Sequence, residues 1–352
     1  MSENVDTTSA PLRTGPPRSR VSKLLESRLI GWVALAAALL APFVSASSYS
    51  LNVMTTAAIF VLLASGLNIV VGYCGLLDLG YIAFMAVGAY TAGIISKSFD
   101  LPLLFTIPAV LVMTILAGLI IGAPTLRLRS DYLAIVTLGF GEITRITANN
   151  LSVTGGPSGI FGIPGLLKIG PLDVENPAIL YYLTVLVVSL FVLASARLGK
   201  SRLGRAWRFV REDEDAAEAM GIHTYKVKLL AYIFGAIWGG LGGVLFAAHL
   251  SAVSPQSFIF LQSALVLMAV VLGGMGNMRG VVIGALVISL LPELLRDFAS
   301  NRYLAFGLLL VIVMVFRPQG FWPARGYERE RPAVDAVDAV DDSPAVPTEA
   351  GR

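Results

Sequence analysis

Few residues in this 352-residue chain could do chemistry. The sequence contains one cysteine, Cys74, and two histidines, His223 and His249. A single cysteine excludes an intramolecular disulfide and a cysteine-based metal cage. Two histidines also leave little for metal binding or general-base catalysis, so the sequence predicts no metal site and no catalytic histidine.

One short pattern is typical of a nucleophilic serine. Residues 156–159 read G-P-S-G, with Ser158 in the position of the nucleophile, and His249 would have to act as its base. The serine lies in a loop, the histidine lies at the end of an apolar run, and no residue is identifiable that would orient the histidine. An intramembrane serine protease is therefore an alternative that the sequence disfavours.

A second pattern, L-G-K-S at 198–201, is similar to the end of a nucleotide-binding P-loop. The complete motif, G-x-x-x-x-G-K-[ST], requires glycine at position 194, where this chain has Ala194. No other stretch of the sequence matches the motif. We therefore expect no catalytic residues and no cofactor on this chain, and any ATP-driven motor must be a separate subunit.

Long apolar runs separate these polar positions. The chain is 56% hydrophobic and 14% charged, whereas soluble domains carry about a quarter charged residues. This composition is typical of a membrane protein surrounded by lipid. The net charge of +3 could suggest nucleic-acid binding, but the basic residues lie at the ends of apolar runs, as the positive-inside rule predicts. The sequence therefore predicts no nucleic-acid partner.

The apolar runs divide the chain into three parts. Residues 1–28 are expected to form a disordered cytoplasmic arm, residues 29–323 a transmembrane domain, and residues 324–352 a disordered acidic tail. About ten spans, each near or below the ~20 residues of a straight crossing, give an all-α polytopic fold. Residues 44–46 also resemble a signal-peptidase site, so cleavage of residues 1–46 is an alternative to an uncleaved first helix.

Counting from a cytoplasmic N-terminus sorts the loops into two sets. The inner set, residues 124–130, 197–228, 273–280 and the C-terminus, contains nearly all the Arg and Lys, whereas the outer set, residues 46–50, 97–102, 150–177 and 251–257, contains very few. This distribution agrees with the positive-inside rule. The two short spans, residues 81–96 and 132–147, could either cross the membrane or re-enter it.

The most highly charged stretch between the spans is residues 197–228. Within it, we expect a helix from Arg211 to Gly221. Four acidic residues complement the positive end of the helix dipole, two alanines start a small apolar face, and the glycine ends the helix. The residues concerned are Glu212, Asp213, Glu214, Asp215, Ala216, Ala217 and Gly221. Such a helix could fit a groove on another protein, and the alternative is a solvated loop.

Two polar positions lie within the predicted membrane domain. Asp78 occupies a glycine-rich break before Gly80, where it could contact substrate or cap a helix that starts near Leu79 at the water boundary. Glu142 and Arg145, three residues apart, are expected to pair with each other on one helix face. The candidate pathway residues are Asp78, Gly80, Thr137, Gly139, Gly141 and Glu142.

Several stretches together resemble a known family. D-A-A-E-A-M-G at 215–221 looks like the E-A-A-x-x-x-G loop of bacterial ABC importer permeases, with Asp215 in place of the usual Glu. Five further stretches resemble the M-type permease of the branched-chain amino acid (LIV) importer over about residues 50–323. They are G-Y-C-G-L-L-D-L-G-Y-I-A-F-M-A-V-G-A-Y (72–90), R-L-R-S-D-Y-L-A-I-V-T-L-G-F-G-E-I-T-R (127–145), T-G-G-P-S-G-I-F-G-I-P (154–164), G-G-M-G-N-M-R-G-V-V-I-G-A (273–285) and F-R-P-Q-G-F-W-P (316–323).

This resemblance implies the permease fold of an ABC importer in the bacterial inner membrane, with both termini cytoplasmic. A second, H-type permease would form the other half of the pathway, two ATPase subunits would bind ATP and Mg²⁺, and a periplasmic binding protein would deliver substrate. Residues 211–221 would be the coupling helix that docks on the ATPase. The loop 154–164, with Gly155, Gly156, Pro157 and Gly159, would either receive the binding protein or simply close the outer end.

The resemblance leaves the substrate open. Importers of urea, short-chain amides and aromatic acids use permeases similar to those for branched-chain amino acids. An ion-coupled secondary transporter is an alternative of another class, which the scarcity of charged residues within the spans disfavours.

Overall fold

The computed structural model describes residues 47–126, 130–166, 168–169, 172–173 and 176–294, together with 307, 311 and 320–322. The predicted N-terminal arm, first span and C-terminal tail lie outside the described residues, as does nearly all of the predicted last span, residues 303–316.

The described chain is predominantly helical. The helices are α1 Ser48–Leu67, α2 Ile82–Phe99, α3 Ile107–Thr125, α4 Ser130–Asn150, α5 Pro177–Leu198, α6 Arg202–Glu212, α7 Glu214–Ala219, α8 Thr224–Leu250, α9 Phe260–Gly273 and α10 Met278–Leu294. A π-helix, Asn68–Tyr73, continues α1, and 3₁₀ turns cover Leu103–Thr106, Gly156–Ser158 and Pro255–Phe258. Four two-residue strands form two antiparallel pairs: β1 Ile160–Phe161 with β4 Ala252–Val253, and β2 Lys168–Ile169 with β3 Leu172–Asp173.

Among the described residues, five helical segments are long and apolar enough to span a membrane. They are Ser48–Tyr73, Ile82–Phe99, Leu103–Thr125, Pro177–Leu198 and Thr224–Leu250. Helix α9 is apolar but shorter, with 14 residues, and α4 has 21 residues but is too polar to be counted with the five. The predicted all-α polytopic fold is confirmed, and the predicted weak span at 132–147 is the single continuous helix α4.

Helix α8 packs against α1, α2 and α3 in the centre of the described domain. Its contact face carries a row of small buried residues, Gly235, Gly239 and Gly243. A Cβ atom on Gly243 would lie 2.2 Å from the carbonyl oxygen of Met85 in α2. The absence of a side chain therefore allows the two backbones to touch, as is typical of helix packing in membranes.

The connections gather at two opposite ends of the helices. At one, which we call the loop end, Lys97 Nζ donates to the Phe161 carbonyl oxygen at 3.1 Å, and β1 pairs with β4. At the other, the charged end, Tyr225 donates to the Ala123 carbonyl oxygen at 3.2 Å. The loops predicted to lie outside meet at the loop end, and those predicted to lie inside meet at the charged end. Which end faces the cytoplasm stays a prediction.

Candidate functional site

The predicted helix from Arg211 to Gly221 is wrong in one respect: it consists of parts of two helices. Helix α6 ends at Glu212, and α7 begins at Glu214. Asp213 between them has extended backbone angles (φ −155°, ψ 112°), and its carboxylate accepts a hydrogen bond from the Ala216 N–H at 2.9 Å. Aspartate is among the best N-caps because its side chain satisfies an otherwise unpaired helical N–H. Here it starts a new helix instead of continuing α6.

The predicted glycine stop of α7 is confirmed. Gly221 has φ +83°, in the left-handed region that favours glycine. Its N–H donates to the Glu218 carbonyl oxygen at 2.9 Å, and the Ile222 N–H donates to the Ala217 carbonyl oxygen at 3.1 Å. This pair of hydrogen bonds defines a Schellman motif. Both ends of the six-residue helix α7 are therefore fixed by specific hydrogen bonds.

Helix α7 packs through one residue and exposes the rest. Ala217 is buried against the protein, and Glu214 forms an ion pair with the buried Lys228 at the start of α8. The predicted apolar face is thus mostly free, because Met220 is 83% exposed. The other exposed residues of this surface are Asp215, Ala216, Glu218 and Ala219. The charged end therefore presents a small, acidic, methionine-tipped helix to its surroundings.

Helix α6 was not predicted from the sequence, where its basic residues were counted only among the Arg and Lys of the inner loops. Trp207 is completely buried, and its Nε1–H donates to the Val227 carbonyl oxygen at 2.8 Å. Val210 is buried on the same face. The apolar residues at 203, 207 and 210 have the spacing of an amphipathic helix, a signal that the many arginines obscured. Helix α6 is the support that attaches α7 to the membrane helices.

Asp78 fixes the break between the π-helix and α2. Its Oδ1 accepts a hydrogen bond from the Gly80 N–H at 2.8 Å, which agrees with a capping role. Two details of the prediction are wrong: α2 begins at Ile82 rather than near Leu79, and the carboxylate is completely buried rather than at a water boundary. The short side chain folds back on its own backbone and closes a tight turn before the helix starts.

Four of the predicted pathway residues meet at this break. The Thr137 hydroxyl of α4 accepts a hydrogen bond from the Leu79 N–H at 3.1 Å. A Cβ atom on Gly80 would lie 1.8 Å from the Thr137 carbonyl oxygen, and one on Gly141 would lie 3.4 Å from the Gly80 Cα. Asp78, Gly80, Thr137 and Gly141 therefore form the contact between the break and α4.

The other two predicted pathway residues lie on a different face of α4. A Cβ atom on Gly139 would meet nothing within 4 Å. Glu142 pairs with Arg145, whose Nε lies 3.1 and 3.0 Å from the two carboxylate oxygens, as the spacing predicts. The Glu142 and Arg145 side chains are 43% and 28% exposed. This face of α4 is open in the isolated chain and carries both signs of charge.

The loop 154–164 is held at the loop end by hydrogen bonds to the segment that follows α8. Gly155, Gly156 and Gly159 have φ values of +79°, +58° and +81°, and the Pro157 carbonyl oxygen accepts a hydrogen bond from Gln256 at 3.2 Å. A cavity of about 390 Å³ lies beside it and is lined by Ile94, Lys97, Ser98, Ser152, Val153, Gly155, Gly159 and Ile160. The loop thus presents a fixed backbone surface next to a groove.

Among the described residues, no hydrogen bond joins Ser158 to His249, the two groups that the serine protease alternative requires. His249 Nε2 lies 3.3 Å from the Thr56 hydroxyl, and Ser158 belongs to the 3₁₀ turn of the loop. Among the described residues there is no group of three or more His, Cys, Asp or Glu side chains that could hold a metal ion.

Comparison with known proteins identifies the family. The family described as branched-chain amino acid transport system / permease component matches residues 49–317. The chain belongs to this family. The match covers all the elements described above except Ser48, the first residue of α1, and the segment 320–322.

Relatives of this transport permease family include both of its types. The high-affinity branched-chain amino acid transport system permease protein LivM of Escherichia coli K12 is 42% identical over 299 residues, which cover 78% of this chain and 70% of the relative. The probable LivM of Methanocaldococcus jannaschii is 25% identical, with coverage of 61% and 68%. LivH of Salmonella typhimurium is 24% identical, with coverage of 75% and 91%. No solved structure matches the chain.

These relationships confirm the predicted resemblance to the M-type permease, because the identity to LivM is much higher than that to LivH. They also support a transport role over the serine protease and the ion-coupled secondary transporter. The chain is a multi-pass membrane permease component.

Proposed function

We propose that this chain forms half of a membrane pathway that imports branched-chain amino acids, driven by separate ATPase subunits. A second, H-type permease forms the other half, and a binding protein delivers the substrate. The observation that carries the proposal is the exposed, capped helix α7 on a chain of this family that lacks a nucleotide-binding motif. Two ATPase subunits bind ATP and Mg²⁺, and each permease offers one of them a docking helix.

The surface of α7 suits a docking role. Its buried side is anchored through Ala217 and the Glu214–Lys228 pair, so the helix keeps its orientation without a partner. Its free side combines small alanines, an exposed methionine and acidic side chains. Small residues allow close approach of a partner, methionine adapts to an apolar groove, and the acidic residues favour a basic rim. The ATPase is therefore expected to present an apolar groove with basic residues around it.

This docking orients the chain. If α7 binds the ATPases, the charged end faces the cytoplasm and the loop end faces outward from the bacterial inner membrane, with both termini inside. The loop at 155–159 and the neighbouring cavity then form the surface that receives the periplasmic binding protein. Lys97 at the edge of this cavity offers a positive charge to an acidic side chain of that partner.

The open face of α4 is the best candidate for the pathway wall. A paired Glu142 and Arg145 that remain partly exposed would be costly in contact with lipid, because charged groups in a bilayer require polar surroundings. Gly139 leaves free space on the same side of the helix. We therefore assign this face to a water-filled pathway shared with the second permease. The packed residues Asp78, Gly80, Thr137 and Gly141 position α4 from behind, so they support the pathway rather than line it.

Branched-chain amino acids are the proposed substrates because LivM, LivH and BraD are all described as permeases for them. Urea, short-chain amides and aromatic acids are the alternatives. The cognate binding protein, purified and screened against leucine, isoleucine, valine, urea, acetamide and benzoate, decides the class. Binding of urea or benzoate in preference to leucine would contradict the proposed substrate but would leave the permease role intact.

The docking role is tested with Gly221→Pro. Proline cannot adopt the φ of +83° at this position, so the end of α7 must change and its free surface must move. We expect the variant to insert in the membrane normally and to lose the ATPase subunits during co-purification.

Gly162→Pro is the matched control. Gly162 also has a positive φ, +68°, but it lies in the loop at the other end, where a Cβ atom would meet nothing within 4 Å. This variant is expected to retain the ATPase subunits. Normal ATPase co-purification with Gly221→Pro would contradict the docking role of α7.

A further inference from the structure

The π-helix Asn68–Tyr73 connects the charged end to the membrane helices. All six of its residues are buried. A π-helix is rare, holds more residues per turn than an α-helix and frequently occurs at functional sites. It lies at the end of α1 and directly before the break at Asp78, so it connects these two parts of the chain.

Helix α6 packs against the end of this π-helix and hydrogen-bonds to it. The Arg211 guanidinium donates a hydrogen bond to the Gly72 carbonyl oxygen. The Tyr73 ring stacks on Trp207, with centroids 6.5 Å apart and an interplanar angle of 7°. Gly75, at φ +76°, lies directly against Arg211, since a Cβ atom there would be 2.8 Å from the arginine Cγ. Arg211, the second-last residue of α6, is therefore in direct contact with the π-helix that continues α1 and with Gly75 beyond it.

The second connection at the charged end holds the π-helix from another side. The Asn68 side-chain oxygen accepts a hydrogen bond from the Gly276 N–H at 2.9 Å. A Cβ atom on Gly72 would lie 1.9 Å from that oxygen, so only glycine at this position leaves room for the contact. Helix α6 and the loop between α9 and α10 therefore both contact the same turn of π-helix.

On its other side, the π-helix leads to α4. The Leu76 N–H donates to the Val70 carbonyl oxygen at 3.1 Å and ties the start of the break to the π-helix. A few residues later, Gly80 packs on the backbone of Thr137. A series of contacts, continued between residues 76 and 80 by the chain itself, thus runs from α7 through Arg211, the π-helix and Gly80 to α4.

We propose that the π-helix is the joint through which movement of α7 reaches the pathway, and that Arg211 is the positioning residue of this joint. The inference rests on the proposed docking of α7 to an ATPase. Close-packed backbones transmit displacement instead of absorbing it, so a shift of α6 moves Gly72 and Gly75 directly. The break at Asp78 then carries the shift to α4 as a rigid-body movement.

The experiment uses the complete transporter, with both permeases, the ATPase subunits and the binding protein, in proteoliposomes. Arg211→Met removes the guanidinium but keeps an unbranched chain against Gly75. Arg211→Lys restores a charged donor. Arg205→Met is the matched control, because Arg205 is an exposed arginine on the same helix whose side chain, within the described part of the chain, hydrogen-bonds only to the Lys200 carbonyl oxygen.

We expect Arg211→Met to retain the ATPase subunits and the basal ATP hydrolysis, but to reduce leucine uptake per ATP hydrolysed by about tenfold, within the range of measured coupling free energies. Arg211→Lys recovers most of this coupling, and Arg205→Met matches wild type. A residue that only stabilised the fold would lower assembly, hydrolysis and uptake together. Wild-type coupling in Arg211→Met, or loss of the ATPase subunits from it, would overturn the inference.

Cys74, the only cysteine of the sequence, provides an independent measurement. It directly follows the π-helix and is buried. Its modification by N-ethylmaleimide is followed by mass spectrometry of this chain, without nucleotide and after trapping with ATP and vanadate. We expect the rate to differ between the two states in wild type and Arg205→Met, and to be the same in both states in Arg211→Met.

Equal modification rates in the two states of the wild type would show that the joint does not move, and would overturn the inference. The failure of the proposed function is a different result: the wild-type permease itself would then not retain ATPase subunits. The two failures are therefore distinguishable in the same set of preparations.

Discussion

At the scale of single residues, the Asp78 carboxylate is a buried acid whose visible role is structural. Its Oδ1 binds the Gly80 N–H, and within the described ranges no Lys or Arg forms an ion pair with it. The backbone turn needs an oxygen acceptor at this position, not a charge. The sequence left open whether Asp78 caps a helix or contacts substrate, and its hydrogen bond agrees with the capping interpretation.

We therefore expect Asp78→Asn to keep both the thermal stability of the purified permease and leucine uptake by the complete transporter. The asparagine oxygen can accept the same hydrogen bond. Asp78→Ala leaves the buried Gly80 N–H without a partner, and is expected to cost about 1–3 kcal/mol of stability. Tryptophan fluorescence during heating measures the stability. Loss of uptake in Asp78→Asn with unchanged stability would show that the charge itself takes part in transport.

At the scale of elements, α7 depends on its caps because six residues are too few to form a stable helix alone. Asp213→Ala removes the acceptor for the Ala216 N–H, whereas Asp213→Asn keeps it. The loss of such a cap costs about 0.5–2 kcal/mol. We expect weaker ATPase binding in Asp213→Ala and nearly normal binding in Asp213→Asn, measured by titration of ATPase subunits onto the permease in nanodiscs. Equal weakening in both variants would assign the effect to the charge of Asp213 rather than to the cap.

The elements also show how much of this structure can be predicted from the sequence. The two short spans predicted at 81–96 and 132–147 agree with α2 and α4 to within three residues, because lipid requires continuous apolar segments whatever their tertiary packing. The division at Asp213 was missed because Asp213 and its three neighbouring acids were interpreted through the helix dipole, although aspartate is also a strong cap. The π-helix has no sequence signature of its own. Asp78, Gly80, Thr137 and Gly141 were each selected from the sequence, but only tertiary structure brings residues 78–80 and 137–141 together.

At the scale of the whole molecule, the two ends of the helices have different characters. The loop end consists of glycine-rich connections held by backbone hydrogen bonds, including those of the β1–β4 pair. The charged end consists of short helices fastened to the membrane helices through side chains such as Trp207 and Arg211. The hydrogen-bonded surface at the loop end suits the proposed binding of a substrate-delivering protein. Helices α6 and α7 at the charged end suit the proposed transmission of ATPase movement to the membrane helices.

This asymmetry leads to a prediction for the isolated chain. The described spans contain too few ionisable groups for a proton or sodium relay, and the open face of α4, with Gly139 and the Glu142–Arg145 pair, is only one wall of a pathway. We therefore expect vesicles with this permease alone to take up no more labelled leucine than empty vesicles under a proton or sodium gradient. Addition of the second permease, the ATPases, the binding protein and ATP should start uptake, and a non-hydrolysable ATP analogue should not support it. Gradient-driven uptake by the lone chain would mean that one wall suffices, and the two-permease pathway would have to be abandoned.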